Sequence, residues 1–182
     1  GEIRDEETAS IAIQSSLTGH LVFSTLHTND AAATITRLDD LNVQPFQIAS
    51  AILGIMATRL IRRLCPNCKQ KHTPTDHELE MMEISRQDVK GRQIYKVGPG
   101  CQQCFNQGFV GRIPIHELLV VDDTLRELIM KTQDASAIKK VAVENGMITL
   151  RRSAISKVLE GLTSIDEGIS KTQTEELELD AK

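Results

Sequence analysis

The chain has 182 residues, 40% apolar and 25% charged, with four Phe, one Tyr and no Trp, so its core must rest on Ile, Leu, Val and Ala. A formal net charge of −4 argues against non-specific binding to nucleic acid. No apolar run reaches membrane-spanning length. In chain order, residues 6–17 (EETASIAIQSSL) read as a helix with Ala9, Ile11, Ala12, Ile13 and Leu17 as its apolar stripe, stopped by Gly19. Residues 20–26 (HLVFSTL) are a mostly apolar run between that glycine and a polar loop. Such a run predicts a strand buried on both faces of a parallel sheet. Thr28 or Asn29 can cap a helix over about 30–38.

A long helix is expected over about 45–64. Pro45 suits its first turn, and Ile48, Ile52, Ile55, Leu60 and Leu64 share a broad apolar face. Arg59, Arg62 and Arg63 would then lie in its last turns, where cations suit the helix dipole. From 65 to 112 apolar residues thin out, and only a short helical piece, DHELEMMEI, interrupts the loops; this segment could not bury much core by itself. IPIHELLVV, 113–121, returns to strand character. Helical patterns follow at 123–132, 134–145 and 149–161, and Ser164 with Glu167 makes a capping box for one more helix at IDEGI. The charged end of the chain, 173–182, reads as a disordered tail. There is no signal-peptide pattern and no starting Met, so a cytoplasmic piece of something longer is expected.

Cys65-Pro66-Asn67-Cys68 and Cys101-Gln102-Gln103-Cys104 are two C-x-x-C pairs. Each pair puts two sulfurs on a tight turn, a bite that suits a tetrahedral metal ion. Four thiolates make a closed Zn²⁺ site with no open position, which predicts a structural metal and not a catalytic one. Two redox pairs, or four buried thiols, are the alternatives. A reduced cytoplasmic setting favours thiolates over disulfides.

A second constellation begins at GEIRD. Glu2 stands where an acidic residue ends a strand in phosphate-binding ATPases, just before a polar turn and a helix. The end of HLVFSTLHTND delivers Ser24, Thr25, His27 and Thr28 together, and ligands of open parallel sheets lie outside the carboxyl ends of the strands. Singly, each has a plainer reading. Glu2 could be a solvated carboxylate, His27 a helix cap and His20 a surface histidine. His72, His77 and His116 show no partner pattern.

The order GEIRDEETA, GHLVFSTLHTNDA, RLIRRLCPNC, GCQQCFNQGFVGR, IHELLVVDD resembles the bacterial type II secretion and type IV pilus assembly ATPases (GspE/PilB-like) over about residues 1–170. The four-cysteine insert resembles that of the secretion and pilus-extension members. The resemblance implies an α/β fold: a partial RecA-like P-loop ATPase core with an inserted four-cysteine zinc subdomain and a C-terminal helical subdomain. In those terms 1–64 is the C-terminal half of the ATPase core, 65–112 the zinc subdomain, 113–122 a return strand, 123–172 the helical subdomain and 173–182 the tail. It implies that Glu2 is the catalytic glutamate that positions water and supports Mg²⁺, with His27 nearest the γ-phosphate. Gly1, Arg4, His20 and Thr25 would serve nucleotide binding, and Cys65, Cys68, Cys101 and Cys104 would hold the zinc.

The family's members form homo-hexameric rings with ATP between protomers and engage inner-membrane platform proteins from the cytoplasm, peripheral to the membrane, without nucleic acid. No G-x-x-x-x-G-K-[ST] run occurs in these residues. Phosphoryl transfer depends almost wholly on positioning and charge neutralisation, so turnover belongs to a complete parent and this chain alone is expected to be inactive. The alternative is a zinc-stapled binding module that contacts a protein partner, or nucleic acid through Arg59, Arg62, Arg63, Lys69 and Lys71.

Overall fold

A computed structural model describes residues 1–172; the tail expected over 173–182 lies outside them. The fold is α/β, and the chain divides into two compact units. Among the described residues, one comprises Gly1–Ala57 and Glu117–Ile148, the other Thr58–His116 and 149–172.

In the first unit, α1 (Glu6–Leu17) has the predicted bounds. It starts where Asp5, in extended conformation, accepts a hydrogen bond from the Thr8 N–H at 2.8 Å. That bond holds the Asp5 carboxyl below its usual range. Ala9 and Ile13 are the side chains α1 buries. Next, α2 (Ala33–Asp40) starts later than its sequence suggests, because residues 28–32 form a turn in which Asp30 Oδ1 accepts from the Ala33 N–H at 2.8 Å. α3 (Pro45–Ala51) opens on Pro45 and buries Ile48, Ala49 and Ala51.

The helix expected over 45–64 ends at Ala51. Ile52 turns to an extended conformation, and β1 (Gly54–Leu64) follows. The reason lies in residues 52–64. Gly54 costs a helix interior about 1 kcal/mol, and Ile52, Ile55, Thr58 and Ile61 are β-branched. β1 also finds a partner, β4 (Phe109–Val120), in a two-stranded sheet. Gly54 packs so closely that a Cβ there would lie 3.2 Å from the Leu119 carbonyl oxygen. The arginines therefore lie on a strand, and the helix-dipole role expected of them disappears.

HLVFSTL is not a buried strand either. Among the described residues its one ladder contact is a parallel bridge between Thr25 and Glu2. Leu21 and Phe23 are 70% and 84% exposed. The apolar run has the composition of a sheet interior, but no neighbouring backbone in these residues covers it.

The unit is completed by α6 (Asp123–Ile129) and α7 (Ala135–Glu144), capped by Asp122 and Asp134. Ile3, Ile13, Ile35, Leu38, Ile48, Leu119, Leu125 and Ile138 meet in its core.

The second unit holds the cysteine segment. β2 (Gln70–His72) pairs antiparallel with β3 (Ile94–Lys96), with Lys71 opposite Tyr95. Between them lie α4 (Asp76–Met81) and the short α5 (Arg86–Val89), each opened by a capping box. The apolar residues of this segment do not stand alone. Helices α8 (Leu150–Leu159) and α9 (Ile165–Thr172) lie against β3 and α4. Leu79, Met82, Ile84 and Ile94 are thus buried in the same unit as Leu150, Ala154 and Ile165. The helices after β4 divide between the units, α6 and α7 in the first, α8 and α9 in the second.

The capping box expected at α9 is half made. Ser164 Oγ accepts from the Glu167 N–H at 3.3 Å, but the Glu167 side chain turns to Arg62 instead of to residue 164. Its Oε1 accepts from the Arg62 backbone N–H at 2.9 Å, and its Oε2 from Nε and Nη2 at 2.8 and 2.5 Å. Arg62 also lies over the Phe109 ring, 4.1 Å from the centroid. Glu167 is buried, which by itself would raise its pKa; the Arg62 bonds outweigh that and hold the carboxyl below its usual range.

Arg62→Ala leaves this carboxylate buried without its counter-charge. The expected loss is about 2–3 kcal/mol, below the roughly 3–5 kcal/mol of a fully buried pair because the guanidinium is half exposed. Chemical denaturation of the two proteins measures it. The sign in pH follows from the lowered folded value. The pair's contribution is complete above the ordinary carboxylate range and is lost as pH falls through the Glu167 value, so the wild-type advantage shrinks in acid.

Candidate functional site

Two separate clusters carry chemistry, one in each unit. The first is built by the bridge at the start of the chain. The Ile3 N–H donates to the Thr25 carbonyl at 2.9 Å, and the Thr25 N–H to the Gly1 carbonyl at 3.4 Å. Ser24 Oγ donates to the same Gly1 oxygen at 2.5 Å. Alternation along this extended segment sends Ile3 into the core and leaves Glu2 on the opposite side.

There Glu2 Oε1 lies 2.9 Å from His27 Nε2, and Oε2 lies 2.5 Å from Arg4 Nη2. The hydrogen bond from Arg4, with His27 adding, holds the Glu2 carboxyl below its usual range, so it is an anion at neutral pH. Arg4 is held above its own usual range by the same contact. The Glu2 side chain keeps 22% of its surface and that of His27 keeps 85%, so the cluster is open to a solute. It can accept a proton, orient a water molecule and meet an anion with a guanidinium and an imidazole.

The structure thus brings Glu2, Arg4 and His27 together, with Gly1 and Thr25 supplying the backbone that joins them. His20 does not join. Its Nδ1 lies 3.2 Å from the Ser15 carbonyl oxygen and 3.4 Å from Thr18 Oγ1, at the end of α1.

The second cluster is the four cysteines. Cys104 sits on a 3₁₀ turn, Gln102–Cys104, followed by Phe105 and Asn106 in left-handed conformation. The Asn106 N–H returns to the Cys101 carbonyl at 3.0 Å. On the other side, the Cys65 N–H donates to the Gly108 carbonyl and the Lys69 N–H to the Cys65 carbonyl. Two glycines make the meeting of these loops feasible. A Cβ on Gly98 would lie 1.6 Å from the Cys68 carbonyl oxygen, and one on Gly100, at φ +97°, would lie 2.5 Å from Asn106 Cα.

The sulfurs are 3.7 Å apart for Cys65 and Cys101, 3.8 Å for Cys68 and Cys104 and 3.7 Å for Cys101 and Cys104. A disulfide needs about 2.05 Å. A regular tetrahedron with metal–sulfur bonds of about 2.3 Å has edges of about 3.8 Å, so the four positions can hold a tetrahedral ion. Cys104 Sγ also accepts the N–H groups of Cys101 and Gly108, each at 3.2 Å. Burial pushes the Cys104 thiol up, but these bonds outweigh it and bring it down to about 6. Cys68 goes the other way, pushed up to about 12 by burial and by the neighbouring sulfurs.

The basic residues of the alternative interface are largely engaged within the unit. Arg59 Nη1 donates to the Lys171 carbonyl at 2.7 Å, and Arg62 holds Glu167. Lys69 Nζ donates to the Gly161 carbonyl at 2.8 Å and sits 4.0 Å from the Tyr95 ring centroid.

A family model described as type II/IV secretion system protein matches residues 1–170. The chain belongs to this family. As a type II/IV secretion system protein it is 47% identical over 172 residues to the type IV pilus assembly ATPase PilB of Thermus thermophilus, covering 94% of this chain and 19% of that protein. It is 44% identical over 173 residues to the type II secretion system ATPase E of Vibrio cholerae, covering 95% and 34%. The chain therefore spans a fifth to a third of these relatives' length. Among solved structures it shares its fold with the pilus retraction motor PilT with bound ADP, at a TM-score of 0.61 and 23% identity over 94% of this chain and 38% of that one. The Legionella pneumophila ATPase DotB gives a TM-score of 0.61 at 20% identity, covering 92% and 36%. No helix among the described residues is long and apolar enough to cross a membrane.

Sequence reasoning missed Glu117. This carboxylate on β4 is 1% exposed, and its Oε1 accepts the Ala31 N–H at 2.7 Å. The signal was available: an acidic residue at an inward position of an alternating strand.

Proposed function

We propose that this region is part of the motor of a type II secretion or type IV pilus assembly ATPase, a RecA-like core that works as a ring of identical subunits, six by the family resemblance. The observation that carries the proposal is the Glu2–His27 pair at 2.9 Å, held by the Glu2–Thr25 bridge, in a chain 44–47% identical to ATPases of both systems.

Glu2 orients and deprotonates the attacking water and supports the site of Mg²⁺. His27, on the same carboxylate, senses the γ-phosphate and reports its loss to the turn leading into α2. Arg4 lies where it can meet phosphate charge, and Gly1 and Thr25 fix the backbone. His20 takes a peripheral place at the end of α1. Bound Mg²⁺ neutralises phosphate charge, a contribution these residues do not replace. The parent supplies the loop that grips the phosphates, and strands of that parent cover Leu21 and Phe23.

In the second unit, Cys65, Cys68, Cys101 and Cys104 hold Zn²⁺ as a structural ion. The clamped segment offers a rigid surface to a platform protein at the cytoplasmic face of the inner membrane, with the motor peripheral to the bilayer. The tetrahedral spacing of the sulfurs supports this reading.

The full-length parent, purified as a ring, is expected to hydrolyse ATP with Mg²⁺, and the 182-residue chain to hydrolyse none above background. A phosphate-release assay on both proteins makes the comparison. An inactive parent, or a chain that turns over at the parent's rate, sinks the reading.

A further inference from the structure

The turn between His27 and α2 is fastened through Thr28, Asp30 and Ala31. Thr28 Oγ1 lies 2.9 Å from Thr34 Oγ1 and donates to the Asp30 carbonyl at 3.1 Å. Asp30 Oδ1 accepts from the Ala33 N–H at 2.8 Å, and Oδ2 pairs with Lys139 Nζ at 3.0 Å. The deepest of these contacts is the one between the Glu117 carboxylate and the Ala31 N–H, 2.7 Å long, with Glu117 1% and Ala31 0% exposed.

A carboxylate is a costly residue to bury, and a charge-assisted bond to a backbone N–H is among the stronger ways to compensate it. The β4 position is rigid, since Ile115 and Leu119, on the same strand face, are fully buried. Ala31 is four residues beyond His27, and the segment between them carries no side chain that reaches the core. The orientation of His27 toward Glu2 thus depends on the Thr25 bridge and Leu26 on one side and on where Glu117 holds Ala31 on the other. His27 itself is exposed and has no packing of its own to fix it.

We infer that Glu117 is a positioning residue for hydrolysis: it anchors the His27 turn to β4 and so sets the His27–Glu2 pairing. The inference rests on the proposed nucleotide site. In this role Glu117 acts through the backbone of Ala31. Lys139 on α7 is the second anchor of the same turn, through Asp30.

The test is a mutant cycle in the full-length parent, read as kcat and KM for ATP. Glu117→Ala is expected to lower kcat about 10- to 100-fold with KM changed less than about twofold, the pattern of a displaced catalytic group. Glu117→Gln keeps an oxygen acceptor for Ala31 and is expected to restore kcat to within about threefold of wild type. Adding Glu117→Ala to His27→Ala is expected to cost less than about twofold more, because both changes disable the same element.

Unchanged kcat in Glu117→Ala, or losses that multiply in the double variant, overturns the inference and leaves the nucleotide site standing. Full turnover in His27→Ala alone overturns the proposed role of His27, and the inference with it. Where Glu117→Ala does not fold, Glu117→Met keeps the volume without the acceptor and takes its place in the cycle.

Discussion

In the full-length parent, Glu2→Gln is expected to cut ATP turnover about 10²–10⁴-fold while leaving nucleotide affinity within about twofold. The substitution keeps shape and one acceptor oxygen, so Arg4 and His27 retain a partner and the backbone bridge from residue 2 to Thr25 is untouched. What it removes is the negative charge and the capacity to take a proton. The low pKa of Glu2 does not conflict with that role in the resting chain, because the Arg4 contact that lowers it is a surface ion pair. Arriving phosphates would compete for Arg4, and the carboxylate would become more basic as Arg4 left it. Phosphate release and fluorescent-nucleotide titration, on the same preparation, separate the two effects. A normal rate in this variant would remove Glu2 from the mechanism.

The second large effect concerns the ion. Protein purified without added metal is expected to carry one zinc per chain, and Cys104→Ser or a strong chelator to release it. Cys104 is the telling choice, because its sulfur already receives two backbone N–H groups that a hydroxyl oxygen meets at a shorter length. Loss of the ion loosens the end of the 65–112 segment that the sulfurs close, away from Leu79, Met82 and Ile84, which stay buried in the unit. Amides of β2 and β3 are then expected to exchange hydrogen rapidly, while those of α1 and α3 in the first unit keep their protection. Acid acts in the same direction, since protons compete with the ion for thiolates. Metal analysis together with exchange mass spectrometry reads both. Four freely titrating thiols and no bound metal would sink the site.

The elements legible in the sequence were those whose signals are local. The apolar stripe of 6–17 with the glycine that stops it, and the helical patterns at 123–132 and 134–145, lie within a few residues of the helices they announce. The C-x-x-C spacing, likewise, is local to each pair. Failure came where a distant segment decides. Residues 52–64 have enough Leu, Ile and Arg to read as a helix, and only pairing with β4 makes them a strand. HLVFSTL reads as a sheet interior, yet in these residues it meets one bridge.

At the candidate site the same division holds. Glu2 and His27 stood out by the motifs around them, whereas Glu117 meets its partner 86 positions away, and Glu167 meets Arg62 at a separation of 105. Glu167 shows how a local rule can be outbid. Its spacing from Ser164 fits a capping box, but charge-assisted bonds from the Arg62 guanidinium are stronger than a reach back to a neutral backbone N–H.

Gly98 carries a last consequence. With a carbonyl oxygen standing where its first carbon substituent would go, the loop around the sulfurs is fitted backbone against backbone. Side-chain replacement there offers no graded series of slightly looser grips. Mutation at that position leads in a single step from a closed clasp to an open one.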